Sequence, residues 1–348
     1  MRAILFCVNP YAFGILKPLH DQLAHNGSQI LWYVPTSIQK DFPFSTTVSH
    51  THSIKDLFDF ESEAIFVPGN EVPHYLRGVK VQVFHGLAGE KKGHFRIRNY
   101  FDLYLTQGPY FTREFNRLKK RYNNFDVVET GWSKLDPLFQ LQDEFRAERN
   151  KLLHETGKRT LLLYAPTFSP SLTSAVSCMT EIFNIADKED VFLLIKFHDL
   201  TNPKVIDDYR SRAASRSNVR VVEERNILKT LIMADFMISD TSSVVYEFIL
   251  LNKPVITVNS RSQQITWCNI TDAGVLHSKF VDELKHDNFS AMRKHTIEEY
   301  HPYTDGNSAA RMIEAVESYI KQHGVPQTRK LNIYRRYQMN KLFGPKPN

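Results

Sequence analysis

Cysteine is scarce: Cys7, Cys178 and Cys268 are three thiols in 348 residues, too few and too far apart for a disulfide framework or a paired zinc spacing. The sequence predicts a reducing compartment, no disulfide and no structural metal. Long apolar runs are missing as well. Nothing approaches the roughly 18 to 20 apolar residues of a membrane-spanning helix, and the opening run Ala3 to Val8 is strand-length and lacks the anatomy of a signal peptide. The expectation is a protein that stays on the cytoplasmic side, where it is made. Signature loops are absent too: there is no Gly-Lys-Ser or Gly-Lys-Thr phosphate loop, no Gly-x-Gly-x-x-Gly, no Gly-x-Ser-x-Gly and no His-Glu-x-x-His. P-loop kinase, dinucleotide dehydrogenase, serine hydrolase and zinc protease all lose their usual support.

Acidic residues are missing from one region only. Residues 324–348 hold Arg329, Lys330, Arg335, Arg336, Lys341 and Lys346 and no carboxylate, so this tail accounts for the whole formal charge of +6. A neutral body with no recognition motif argues against a nucleic-acid partner. The tail interleaves its charges with Leu331, Ile333, Tyr334, Tyr337, Met339, Leu342 and Phe343, a mixture suited to an anionic membrane surface. A solvated basic terminus, or a last helix packed on the body, is the alternative.

What is present is alternation. Short Val/Ile/Leu/Phe runs are separated by stretches of helical periodicity, the pattern of parallel sheets covered by helices on both faces. Strands are expected at residues 2–8, 30–34, 64–67, 81–84, 103–106 and 127–129, then at 160–164, 192–197, 219–222, 236–239 and 255–258. A helix at Ile15 to His25 places Leu16, Leu19 and Leu23 on one face. The charged stretch from Gln140 to Arg159 reads as a boundary. The fold class is therefore α/β, with two Rossmann-like domains facing each other across a cleft, at residues 1–150 and 151–323, followed by the tail 324–348.

Polar residues at strand ends are the candidate site, since ligands of open α/β sheets bind at the carboxyl ends of strands. His85 and Gly86 follow one strand. There the imidazole is placed to take a proton from a hydroxyl, the glycine lets the chain turn, and Lys91 and Lys92 could neutralise phosphate. Pro166 and Thr167 end another strand. His198 ends a third, with Lys196 beside it, and the pair suits the charge developing on a leaving phosphate. Asp240, Thr241, Ser242 and Ser243 lie between a strand and a helix, where hydroxyls and free amides form an anion site. Each has a plainer alternative: a buried histidine holding a structural hydrogen bond, or a hydroxyl that only caps its helix.

Taken in order, six segments resemble the CDP-glycerol:polyol glycerophosphotransferases, the teichoic-acid primases and polymerases and their capsule-polymer relatives. They are Phe84-His85-Gly86 with Lys91-Lys92-Gly93, Glu129 to Asp136, Leu163 to Phe168, Ile195 to His198, Ile238 to Ser243 continuing to Pro254, and Asp305 to Ala309. The first 80 residues carry no such segment. The resemblance implies a GT-B-like fold whose C-terminal domain binds CDP-glycerol or CDP-ribitol while the N-terminal domain meets the acceptor. It implies that His85 is the general base and that His198 assists at the donor phosphates. It places Ser242 and Ser243 at the pyrophosphate and Glu247 near the nucleotide. A surface polymer or its lipid-linked precursor would be the acceptor, CMP would leave, and no cofactor would be tightly bound, phosphate charge being met by side chains or by a divalent ion. The implied location is peripheral, on the inner face of the cell membrane. A nucleotide-sugar glycosyltransferase of the same fold and a non-catalytic polymer-binding protein are the alternatives.

Overall fold

The computed structural model describes residues 1–87, 93–224, 226–262 and 265–347. The chain divides into two compact units, one formed by residues 1–137 with 299–348 and the other by residues 138–298. The division falls before residue 150 because the charged stretch after Gln140 is no linker. Gln142–Thr156 is a helix that buries Leu152 and Leu153, and its Arg149 grips Asp235 of the second unit with two hydrogen bonds at 2.9 and 2.6 Å.

The first unit is built on strands β1 (Arg2–Phe6), β2 (Gln29–Tyr33), β3 (His50–Thr51), β4 (Ala64–Val67), β5 (Val79–Gln82), β6 (Leu103–Thr106) and β7 (Asp126–Glu129). They form one parallel sheet in the order β3-β2-β1-β4-β5-β6-β7. Both faces are covered, which is why Ala3 to Phe6 and Ala64 to Val67 can be apolar at every position and fully buried. The helix Phe13–His25 turns Ile15, Leu16, Leu19 and Leu23 inward.

The second unit holds β8 (Thr160–Tyr164), β9 (Val191–Ile195), β10 (Val219–Val221), β11 (Phe236–Ser239), β12 (Val255–Val258) and β13 (Cys268–Ile270), again all parallel, in the order β10-β9-β8-β11-β12-β13. All eleven strands expected from the sequence are present; β3 and β13 are additional. Both are edge strands of two and three residues, too short to give an apolar run. The three cysteines are buried thiols, and burial pushes Cys7 up to about 12. Among the described residues no helix is long and apolar enough to cross a membrane.

The chain returns to the first unit through two of the sequence segments noted above. Asp136 accepts the Ser308 and Ala309 amides at 2.9 and 2.7 Å, a carboxylate cap on the helix Ser308–His323. Gly131, at φ +82°, lies so close that a Cβ there would sit 2.4 Å from Ser308 Oγ. Arg311 donates to the Thr130 carbonyl at 2.8 Å and to Asp305 at 2.7 Å. The Glu129–Asp136 and Asp305–Ala309 segments are thus two halves of one contact. The tail is ordered on the same unit, with Arg329 paired with the buried Asp102 and donating to the Asn99 and Asn124 carbonyls.

His301 is fully buried, and its Nε2 accepts the Trp132 amide at 3.0 Å, so that nitrogen must be unprotonated in the folded state. Burial, with Arg311 nearby, lowers it from 6.5 to about 4. Unfolded chains therefore take up a proton near pH 6.5 that folded chains resist until about pH 4, and stability falls as pH drops through that window, by on the order of 3 kcal/mol from this group. His301→Gln keeps an acceptor but cannot titrate. Urea midpoints measured from pH 7 to 4 should fall less steeply in this variant than in wild type; parallel curves would deny His301 that role.

Candidate functional site

Strand order reverses between β1 and β4 in the first unit and between β8 and β11 in the second. These reversals open crevices at the carboxyl ends, where open α/β sheets bind ligands. Among the described residues, the histidines and hydroxyls singled out in the sequence lie on one of these two rims.

In the first unit the chain leaves β5 through Phe84, which adopts φ +59°, a left-handed conformation that costs a bulky side chain roughly 1–2 kcal/mol. Packing holds it there: the Phe84 ring lies 5.1 Å from Phe115 and stacks on His94 at 5.2 Å. The turn swings His85 out of the sheet, exposed, with its Nδ1 3.0 Å from the Pro68 carbonyl at the end of β4. A carbonyl only accepts, so Nδ1 carries the hydrogen and Nε2 of the neutral ring keeps its lone pair. Gly86 is fixed from the other side, its carbonyl accepting from Gln107 Nε2 at 3.2 Å at the end of β6. The Tyr11 ring, from the loop after β1, lies 5.2 Å from the His85 ring. Lys91 and Lys92 lie outside the described residues.

The second rim has the opposite polarity. His198, exposed after β9, receives the Leu200 amide on Nδ1 at 3.1 Å, so in the neutral ring Nε2 carries the hydrogen and donates. Partial desolvation of the ring, reinforced by Lys196 and opposed by Asp199, holds its pKa below the ordinary imidazole value and favours this neutral form near pH 7. The Phe168 ring, 38% exposed after β8, lies 4.4 Å from the His198 ring. At the end of β11 the helix Val244–Ile249 starts at Ser243 without a side-chain cap. Among the described residues the Ser242 and Ser243 hydroxyls are unbonded, so capping does not account for them. Thr241 Oγ1 accepts the Arg261 amide at 3.1 Å, and Glu247 stands half-buried in the first helical turn.

Two residues expected as donor contacts are turned inward. Asp240 is fully buried and accepts the Thr167 and Ser174 amides at 2.9 and 2.8 Å and the Ser174 hydroxyl at 2.9 Å. Burial raises its pKa while those bonds oppose the rise. It pins the loop after β8 to β11, and through the Thr167 amide it sets the place of Thr167 beside the buried Pro166. The Lys196 ammonium donates to the Phe197 carbonyl at 2.7 Å beneath the rim. Tyr11, Ser174 and Gln107 belong to none of the sequence segments or strand-end motifs noted above. Phe168 alone carried a signal, as the last residue of the Leu163–Phe168 segment. Among the described residues no group of three His, Cys, Asp or Glu side chains converges as a metal site requires.

Residues 17–262 match the family described as CDP-glycerol:poly(glycerophosphate) glycerophosphotransferase. The chain is 23% identical over 272 residues to the teichoic acid glycerol-phosphate primase of Bacillus subtilis, spanning 69% of this chain and 68% of that one. Among solved structures, the wall teichoic acid polymerase TagF superposes with a TM-score of 0.60 at 14% identity over 92% of this chain and 89% of its own. The UDP-GlcNAc 2-epimerase of Neisseria meningitidis, bound to UDP-GlcNAc, superposes at 0.65 and 12% identity over 91% of this chain and 100% of its own. At these identities the structural likeness bears on the fold, which is GT-B-like with two Rossmann-like units.

Asp240→Asn retains the shape but turns an amide N–H₂ or a weaker carbonyl toward three donors. We expect a loss of roughly 2–4 kcal/mol of stability in the second unit, read by thermal unfolding, together with faster proteolysis within residues 167–174. An unchanged melting profile would contradict the pinning role.

Proposed function

Because the chain belongs to the CDP-glycerol:poly(glycerophosphate) glycerophosphotransferase family, we propose that it transfers glycerol phosphate from CDP-glycerol to a hydroxyl of a teichoic-acid-type polymer or its lipid-linked precursor and releases CMP. The observation that carries this is the pair of opposed tautomers: an exposed imidazole whose Nε2 holds a lone pair at His85 and one whose Nε2 holds the hydrogen at His198. His85 Nε2 takes the proton of the acceptor hydroxyl as its oxygen attacks the distal phosphorus of the donor. The bond from that phosphorus to the bridging oxygen breaks, and the electron pair leaves with CMP. His198 Nε2–H donates to the phosphate oxygens, where charge accumulates, and the Ser242 and Ser243 hydroxyls hold the pyrophosphate. Thr167, Thr241 and Glu247 border the same rim and complete the donor site, with the first unit left to the acceptor.

The protein works, in this proposal, against the inner face of the cell membrane. Support comes from the helix Ile333–Phe343, which buries Met339 and sets Phe343 edge-on against Phe6, leaving Ile333, Tyr334, Tyr337 and Leu342 60–85% exposed. Arg329 is taken up by Asp102, while Arg335 and Lys346 lie over Tyr100 and Phe58. Lys330, Arg336 and Lys341 remain to meet anionic lipid, each worth about 1 kcal/mol near such a surface.

Purified protein given CDP-glycerol, CDP-ribitol or UDP-sugars with a membrane extract should release CMP from a CDP-polyol; release of UDP would favour a glycosyltransferase instead. His85→Ala should lower turnover by at least a hundredfold with CDP-glycerol affinity kept, whereas the double variant Ser242→Ala, Ser243→Ala should weaken that affinity in calorimetry. For the tail, replacing Tyr334, Tyr337 and Leu342 by Ser should reduce sedimentation with phosphatidylglycerol vesicles several-fold without changing the melting temperature. Equal sedimentation would take the membrane role away from this helix.

A further inference from the structure

Tyr11 is an aromatic residue that lies outside the buried core of the first unit. It stands in the loop after β1, 46% exposed, and among the described residues its hydroxyl has one long hydrogen bond, 3.4 Å from Asn9 Nδ2 in its own turn. The backbone there is nevertheless rigid. Pro10 opens the single helical turn Pro10–Ala12, which closes when the Ala12 amide donates to the Asn9 carbonyl at 3.0 Å. The loop after β4 comes close as well: Gly69 lies where an added Cβ would stand 4.0 Å from the Tyr11 hydroxyl. Tyr11 is thus set in the crevice of the first sheet's order reversal, 5.2 Å from the ring of His85 and tilted 37° to it. It also lies before residue 17, where the match to the family begins, so the family does not assign it.

An aromatic ring held beside a base, and 46% exposed, offers a flat, electron-rich face. The partner that complements it is a rigid ring with a patch of C–H bonds on one face and hydroxyls around its edge, which is the chemistry of a hexopyranose. A flexible glycerol phosphate chain presents no such face and carries a negative charge that the ring's electron density disfavours. We infer that Tyr11 is the acceptor platform and that the hydroxyl delivered to His85 belongs to a sugar ring rather than to an acyclic polyol phosphate. The assignment rests on the transferase reading above: the attacking oxygen must sit within reach of His85 Nε2, and the stacked sugar plane is what holds it there.

The test uses the full chain, CDP-glycerol and two probes, an alkyl hexopyranoside and an alkyl glycerol phosphate, with CMP release as readout. Wild type should saturate with the pyranoside at a concentration at least tenfold below that for the glycerol phosphate. Tyr11→Ala should raise KM for the pyranoside at least tenfold while kcat changes less than threefold, and Tyr11→Phe and Tyr11→Trp should restore it. Equal KM values in wild type and Tyr11→Ala would overturn the platform. So would a loss of CDP-glycerol affinity in Tyr11→Ala, since the ring would then serve the donor base. If wild type releases no CMP from CDP-glycerol with any acceptor, the transferase reading fails by itself. Saturation-transfer NMR of the pyranoside against wild type and Tyr11→Ala still decides the platform: transfer lost in the variant supports it, and equal transfer or none in wild type refutes it.

Discussion

Parallel strands are the constraint from which the rest follows. When every strand of a sheet runs the same way, each connection must cross back over a face, both faces are covered, and all the carboxyl ends collect on one rim. The apolar runs, the burial of β1 and β4 and the clustering of polar residues just after the strands are consequences of that one arrangement. Where the strand order reverses, neighbouring crossovers leave on opposite faces and the rim opens. The first unit puts Tyr11, Pro68 and His85 at its opening; the second puts Thr167, Asp240 and the two serines at its own.

On these rims the hydrogen bond to one ring nitrogen decides what the other can do. A carbonyl at His85 Nδ1 and an amide at His198 Nδ1 give two chemically identical side chains opposite capacities, one to accept and one to donate. The first of these is bought with strain, because Phe84 must take a left-handed backbone to turn His85 outward. Its aromatic neighbours Phe115 and His94 make that conformation tolerable, so packing behind the rim decides whether the imidazole is presented.

Much of this was legible in the sequence, and the exceptions have physical reasons. The central strands declared themselves because a strand buried on both faces must be apolar throughout, and the partly exposed edges β7 and β10 showed through their valines. The edge strands β3 and β13, of two and three residues, were too short to leave such a run. The charged stretch after Gln140 resembled a linker because the helix Gln142–Thr156 buries only one turn, at Leu152 and Leu153. That His85, His198, Ser242 and Ser243 follow strands was readable. The inward direction of Asp240 and Lys196 was not, because past the last strand residue the alternation of side chains no longer holds. Tyr11 gave no signal at all, since one aromatic in a proline turn belongs to no spacing. The two segments around Asp136 and Asp305 were visible, but their meeting depends on a contact spanning more than 160 residues of chain.

That contact also sets an order of events during synthesis. The second unit is contiguous, so all of its strands and helices have been made once residue 298 has left the ribosome. The first unit is interrupted, and the helix Ser308–His323, which buries Ala309, Met312, Ile313 and Val316, arrives after the whole second unit. Until then its seven-stranded sheet lacks part of its cover, and Gly131 and Asp136 have nothing to receive. The half of the molecule that begins first is therefore the half that closes last, and its uncovered apolar surface is what a nascent chain of this protein has to shield while it waits.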